Sequence, residues 1–169
     1  MDFDSVRAVV CDVDGVLTDG GIVLGSGGAE VKRFHVWDGT GIKYLARGGI
    51  AVGFLTGRES EAVTRRAEEL GVSFVRQGAK DKLPAFEALL AEMGVPESES
   101  CYVGDDLPDL PPMRRAGLAV AVADAREEVR AEAHFVTHAP GGGGAIRELA
   151  ERILKAQDKW AAIMERYLR

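Results

Sequence analysis

Short apolar runs alternate along this chain with helical patterns, and several of the helices stop at a glycine. Residues 6–13, 50–56, 72–76, 101–104 and 118–122 read as strands, and Phe135-Val136 as a short sixth. These runs are nearly continuous in Val, Ala, Leu and Phe, as expected for strands covered on both faces. Between them, residues 39–47, 60–70 and 81–93 read as helices. Gly71 and Gly94 are the stop signals of the second and third. Residues 145–169 read as one long terminal helix. Strands alternating with helices predict an α/β fold, a parallel sheet flanked by helices. Such sheets bind ligands at the carboxyl ends of their strands, near the switch in strand order. With 169 residues, 46% of them hydrophobic, the chain is long enough for one real core. No internal repeat or linker divides it, so residues 1–169 are expected to form one domain.

Residues 21–37 break the alternation. Ile22-Val23-Leu24, then Gly25-Ser26-Gly27-Gly28, then Val31, Phe34 and Val36 predict a β-hairpin with a glycine-rich turn. A lone hairpin is marginal in water. Its apolar residues need a partner surface, and a neighbouring subunit is the expected cover.

The first apolar run ends in Asp12-Val13-Asp14-Gly15. Side chains two apart on a strand point the same way, so these carboxylates can converge on one object. That suits a hard cation, or a nucleophile paired with an acid/base. Three further strand ends carry polar groups. Thr56-Gly57-Arg58 follows the second strand, Lys82 opens the helix after the third, and Asp105-Asp106 with Asp109 follows the fourth. In a parallel sheet all four fall on one edge. Phosphoryl transfer needs an in-line nucleophile, a cation and donors for the remaining charge. Asp12, carboxylate-held Mg²⁺, Thr56 and Lys82 can supply these.

A net charge of −6 argues against a nucleic-acid partner, because phosphate backbones need clustered Lys and Arg. Cys11 and Cys101 read as buried small hydrophobes in a reducing compartment. The start Met1-Asp2-Phe3-Asp4-Ser5 is acidic and no long apolar segment follows, so a cytoplasmic protein with no membrane contact is expected. Glycines 141–144 lack the Lys-Ser/Thr of a nucleotide-binding loop and are read as an entrance loop.

The run Asp12-Val13-Asp14-Gly15-Val16-Leu17-Thr18, with Thr56, Lys82 and Gly104-Asp105-Asp106, resembles the haloacid dehalogenase phosphatase superfamily. The resemblance implies a Rossmann-like core of that superfamily. It implies that Asp12 is the nucleophile, forming an aspartyl-phosphate, and that Asp14 is the general acid/base. Mg²⁺ is implied on Asp12, the Asp14 backbone carbonyl and Asp105, with Asp106 and Asp109 supporting the metal or positioning Lys82. Members of the superfamily usually carry a mobile cap domain. Here the stretch from Asp12 to Thr56 has room for the hairpin and one helix, and that from Thr56 to Lys82 for one helix and one strand. Neither holds a cap, so a large substrate or a neighbouring subunit must close the site.

Longer segments resemble the 3-deoxy-D-manno-octulosonate 8-phosphate (KDO 8-phosphate) phosphatases within that superfamily. They are Asp38-Gly39-Thr40-Gly41-Ile42, Thr56-Gly57-Arg58, Gln77-Gly78, Gly104-Asp105-Asp106-Leu107-Pro108-Asp109-Leu110-Pro111, Val120-Ala121-Val122-Ala123-Asp124-Ala125 and the glycine run with the helix after it. This implies a homotetramer whose neighbours help to close each site. The implied substrate is an acidic sugar phosphate of lipopolysaccharide synthesis, bound by Arg58 and Gly57. An arginine at 58 suits the sugar carboxylate through paired hydrogen bonds. One departure is Trp37, where many such members carry arginine. The alternatives are a phosphatase for nine-carbon sialic- or KDN-type sugar acids and a non-catalytic assembly domain of the same fold. A receiver domain is a third. It fits poorly, because there the acidic pair and the phosphorylated aspartate lie on different strands.

Overall fold

The computed structural model describes residues 3–168. Met1, Asp2 and Arg169, the outer ends of the expected domain and terminal helix, lie outside the described residues. Six parallel strands form the main sheet. They are β1 (Ala8–Cys11), β4 (Ala51–Leu55), β5 (Phe74–Arg76), β6 (Ser100–Gly104), β7 (Leu118–Ala121) and β8 (Phe135–Val136). Their spatial order is β5-β4-β1-β6-β7-β8. Strand β1 is central, with Cys11 opposite Phe54 of β4 on one side and Val103 of β6 on the other. The chain builds outward through β4 and β5, then returns to the other side of β1 for β6. The switch point is therefore between β1 and β6, and Asp12 and Asp105 flank it. No cap domain interrupts this order.

Strands β1, β4, β5 and β7 are shorter than the apolar runs that predict them. Val6 and Val13 are buried at 2% and 0% exposure, yet they stand outside the ladder of β1. Apolar character marked burial, and burial extends past the hydrogen-bonded pairs into the turns. Helices α1 (Val36–Arg47), α2 (Glu61–Leu70), α3 (Lys82–Met93) and α6 (Ala145–Ala156) flank the sheet, with α1 packed on α6. Gly71 and Gly94 end α2 and α3 at φ of 74° and 66°, as anticipated.

Helix α1 begins at Val36, three residues before the expected start. The His35 ring accepts a hydrogen bond from the Trp37 amide at 3.1 Å and caps it. Gly39 and Gly41 disguised this turn in the sequence. At Gly41 the reason for glycine is packing, because a Cβ there would lie 2.8 Å from the Arg147 Cα. The hairpin is correspondingly small. Strand β2 (Val23–Leu24) pairs antiparallel with β3 (Glu30–Val31) around a turn at Ser26–Gly28. Two short helices were not anticipated: α4 (Leu110–Arg115) and α5 (Glu127–Glu132). Prolines in the first turn of α4 cost no helical bond, although in sequence they read as breakers.

The expected single terminal helix is two, α6 and α7 (Trp160–Glu165). Asp158 takes a left-handed φ of 54° between them. The Gln157 amide donates to the Phe3 and Val6 carbonyls at 3.0 and 2.8 Å, which ties this turn to the start of the chain.

Candidate active site

The four polar strand ends meet in one cleft of about 340 Å³ at the carboxyl edge of the sheet. Asp12, Asp14, Thr56, Lys82 and Asp105 all line it, with Gly57 and Arg58 at the rim. Asp12 follows β1 and is 6% exposed. One carboxylate oxygen accepts from the Val13 amide at 2.7 Å, and the other lies 2.9 Å from the Lys82 ammonium. Lys82 opens α3 and is buried, held on its other side by Asp109 at 2.7 Å. Thr56 is 2% exposed and its hydroxyl accepts from the Arg58 amide at 3.3 Å.

Asp109 is fully buried, and both of its oxygens are engaged. Oδ1 takes Lys82 and the Tyr102 hydroxyl at 2.8 Å. Oδ2 takes the Asp105 and Asp106 amides at 3.0 and 3.2 Å. It therefore fixes both the lysine and the acidic loop. Asp106 turns outward and caps the Leu107 amide at 2.8 Å. Gly15 lets this loop close on the first one. Its φ is +92°, and a Cβ there would lie 2.1 Å from an Asp105 oxygen. Gly57 is different, since a Cβ there would meet only the Ala79 carbonyl oxygen at 3.6 Å. The fold alone does not demand glycine at 57.

Charge in the cleft is poorly balanced. Burial, then the Asp109 charge, push the Asp12 carboxyl up to about 7, although Lys82 pulls it down. Burial, then Asp12 and Asp109, push Asp105 up to about 8. Burial works against the Lys82 charge, but Asp12 and Asp109 together outweigh it and hold the ammonium above its ordinary value. Burial raises the Tyr102 hydroxyl well above its usual range, so it remains a donor.

A cation fits this imbalance. Oxygens of Asp12, Asp105 and Asp109 lie within 4.8 Å of one another. Asp105 Oδ1 is buried and has no hydrogen-bond partner. An all-oxygen set with an orphaned carboxylate oxygen suits a hard divalent ion.

Asp14 lines the same cleft but is not among these three gathered carboxylates. Its carboxylate is bound by Lys32 of the hairpin, whose ammonium also lies 3.0 Å from Glu30. The Lys32–Glu30 contact is an ion pair without hydrogen-bond alignment. Glu30 in turn accepts from Arg58 at 2.5 Å. Burial disfavours the Lys32 charge, yet Asp14 and Glu30 raise its pKa overall. Arg58, first, and Lys32 hold Glu30 down to about 2.

Lys32, Glu30 and Tyr102 went unnoticed in sequence. Glu30 and Lys32 stand two apart just after the predicted turn, a faint signal. Tyr102 sits inside an apolar run and reads as core. Asp38 was also passed over as a working residue. It is buried and accepts from the Gly144 and Arg147 amides, both at 3.1 Å, so it caps α6 from a different helix. The glycine run is no entrance loop. It packs on the turn after Asp14, where the Gly142 amide donates to the Val16 carbonyl at 2.9 Å. A Cβ at Gly141 would fall 1.8 Å from the Gly15 carbonyl oxygen. No helix among the described residues is long and apolar enough to cross a membrane.

Residues 35–117 match the haloacid dehalogenase-like hydrolase family, a span that includes Thr56, Lys82 and Asp105. The 3-deoxy-D-manno-octulosonate 8-phosphate phosphatase KdsC of Yersinia pestis is 46% identical over 92% of this chain and 83% of its own length. The Moraxella catarrhalis 3-deoxy-D-manno-octulosonate 8-phosphate phosphatase, solved with magnesium, phosphate and KDO, superposes with a TM-score of 0.95 at 42% identity. That match covers 98% of this chain and 95% of the other. The cobalt-bound Haemophilus influenzae deoxy-D-mannose-octulosonate 8-phosphate phosphatase gives a TM-score of 0.95 at 37% identity, with 100% of both chains covered.

Proposed function

The chain belongs to the haloacid dehalogenase-like hydrolases, and within them to the KDO 8-phosphate phosphatases; from that premise we propose that it hydrolyses KDO 8-phosphate, with Asp12 as nucleophile. The observation that carries the reading is the convergence of Asp12, Lys82, Thr56 and Asp105 in one cleft at the switch point.

Asp12 attacks phosphorus through a carboxylate oxygen, giving an aspartyl-phosphate as the sugar alkoxide departs. Asp14 protonates that leaving oxygen, then takes a proton from the water that hydrolyses the intermediate. Lys82 and the Thr56 hydroxyl hold phosphate oxygens, and Lys82 is aimed by Asp109. Asp12, Asp105 and the Asp14 backbone carbonyl would hold Mg²⁺, which when bound offsets charge on the phosphate oxygens. Asp109 and Asp106 fix the loop that carries Asp105. Arg58 binds the sugar carboxylate in exchange for Glu30, and Gly57 leaves room for the sugar to approach the backbone.

The open cleft is closed by a neighbouring subunit in a homotetramer. Support comes from the exposed hairpin residues Ile22, Val23, Leu24 and Val31, all more than half exposed. The reaction belongs to the cytoplasm, in lipopolysaccharide synthesis.

Steady-state phosphate release with Mg²⁺ tests the substrate. KDO 8-phosphate should show the highest kcat/KM among sugar phosphates that include a nine-carbon sugar acid phosphate, and Asp12→Asn should show no turnover. A preference for the nine-carbon compound overturns the substrate. Wild-type activity no greater than that of Asp12→Asn would instead favour a non-catalytic domain.

A further inference from the structure

We propose that Lys32 is a positioning residue for the acid/base carboxylate: an ammonium carried on the hairpin that fixes Asp14 and ties it, through Glu30, to Arg58 at the cleft mouth. The inference rests on the phosphatase reading above.

The hairpin around Lys32 is open to solvent. Val31 is 53% exposed and the Arg33 side chain 83%, yet the Lys32 side chain is 1% exposed. A buried ammonium is costly unless it is paired. Lys32 has two carboxylate partners, Asp14 and Glu30, and Glu30 bonds Arg58 at 2.5 Å. A structural brace for the hairpin alone would not need to reach an aspartate at the tip of β1. Each aspartate of the Asp12/Asp14 pair thus has its own lysine. Lys82 comes from α3 and holds Asp12 at 2.9 Å, while Lys32 comes from the hairpin and holds Asp14. The division matches their separate jobs, one attacking phosphorus and the other handling protons. It also couples the two ends of the substrate. A ligand that takes Arg58 from Glu30 Oε2 leaves that carboxylate to Lys32 alone, and so alters the setting of Asp14.

The test uses leaving groups. An alkyl alcohol needs a proton as it departs, whereas nitrophenolate does not. The constant kcat/KM reports steps up to that departure. It is measured for wild type, Lys32→Met, Lys32→Arg and Asp14→Asn with KDO 8-phosphate, a simple primary alkyl phosphate and p-nitrophenyl phosphate. General acid–base catalysis contributes about 10²–10⁴-fold, so Lys32→Met should lower kcat/KM on both alkyl phosphates by about tenfold or more and on the aryl phosphate by less than about threefold. Lys32→Arg should recover part of the loss, and any change in inhibition by free KDO should be too small to account for it.

Equal losses on alkyl and aryl substrates make Lys32 a brace and overturn the proposal. So does no loss on any substrate, or weaker KDO inhibition that accounts for the whole effect. If Lys32→Met fails to fold, Lys32→Gln takes its place with the same criteria. If wild type ignores KDO 8-phosphate, the substrate assignment falls, and Lys32 is still judged on the other two compounds.

Discussion

Asp12 and Asp105 share a site with Asp109, and Lys82 pairs with two of its members, Asp12 and Asp109. Their carboxyls are raised to about 7 and about 8. A carboxyl with a folded pKa above its unfolded value binds more protons when folded. Its stabilising effect is therefore full at low pH and is lost as pH rises through the folded pKa. Metal-free protein should lose melting temperature between about pH 4 and about pH 8, and Mg²⁺ should restore more of it at the alkaline end. Thermal scans with a chelator and with Mg²⁺ check this. Stability that rises with pH in metal-free protein would contradict it. Asp12, Thr56 and Asp105 were legible in sequence because each sits where an apolar run breaks, and Lys82 because it opens the helix that follows one. Lys32 was not, because its partner Asp14 is distant in sequence and meets it only when the hairpin folds back.

Among the elements, α6 depends on a residue outside itself. Gly144 at its N-terminus has no capping side chain of its own, and Asp38 of α1 accepts from the Gly144 and Arg147 amides instead. Removing a cap costs about 0.5–2 kcal/mol, and here one buried and one partly buried donor would be orphaned together. Asp38→Ala should lower stability by about 1–2 kcal/mol in urea unfolding. It should also slow turnover, because the glycine run that Asp38 anchors braces Gly15. An unchanged unfolding midpoint would contradict this. The strand-and-helix alternation was readable because burial on both faces leaves unbroken apolar runs. Boundaries were not, where side chains from afar decide them. His35 starts α1 early, and Gln157 accompanies the break between α6 and α7 by reaching back to Phe3 and Val6. Neither contact leaves a periodic mark.

At the scale of the whole molecule, the sheet brings Asp12, Asp14, Thr56, Lys82 and Asp105 to one edge but leaves that edge open. The hairpin adds an apolar surface beside it, with Leu24 at 69% exposure and Trp37 nearby at 60%. Apolar residues clustered this way mark an interface. Light scattering should find a tetramer, and Leu24→Asp with Val23→Asp should give a smaller, less active species. A stable, fully active wild-type monomer would contradict the assembly. The absence of a cap was legible from motif spacing, while the surface proposed to replace it would come from other copies of the chain.

The central claim is that phosphate passes through Asp12 on its way from KDO 8-phosphate to water. Quenching the enzyme during turnover and reducing with borohydride converts an acyl phosphate into homoserine. Peptide mass spectrometry should then find homoserine at position 12 in wild type and none in Asp12→Asn. Phosphate release from KDO 8-phosphate with position 12 unmodified, or modification at another carboxylate, would contradict the account.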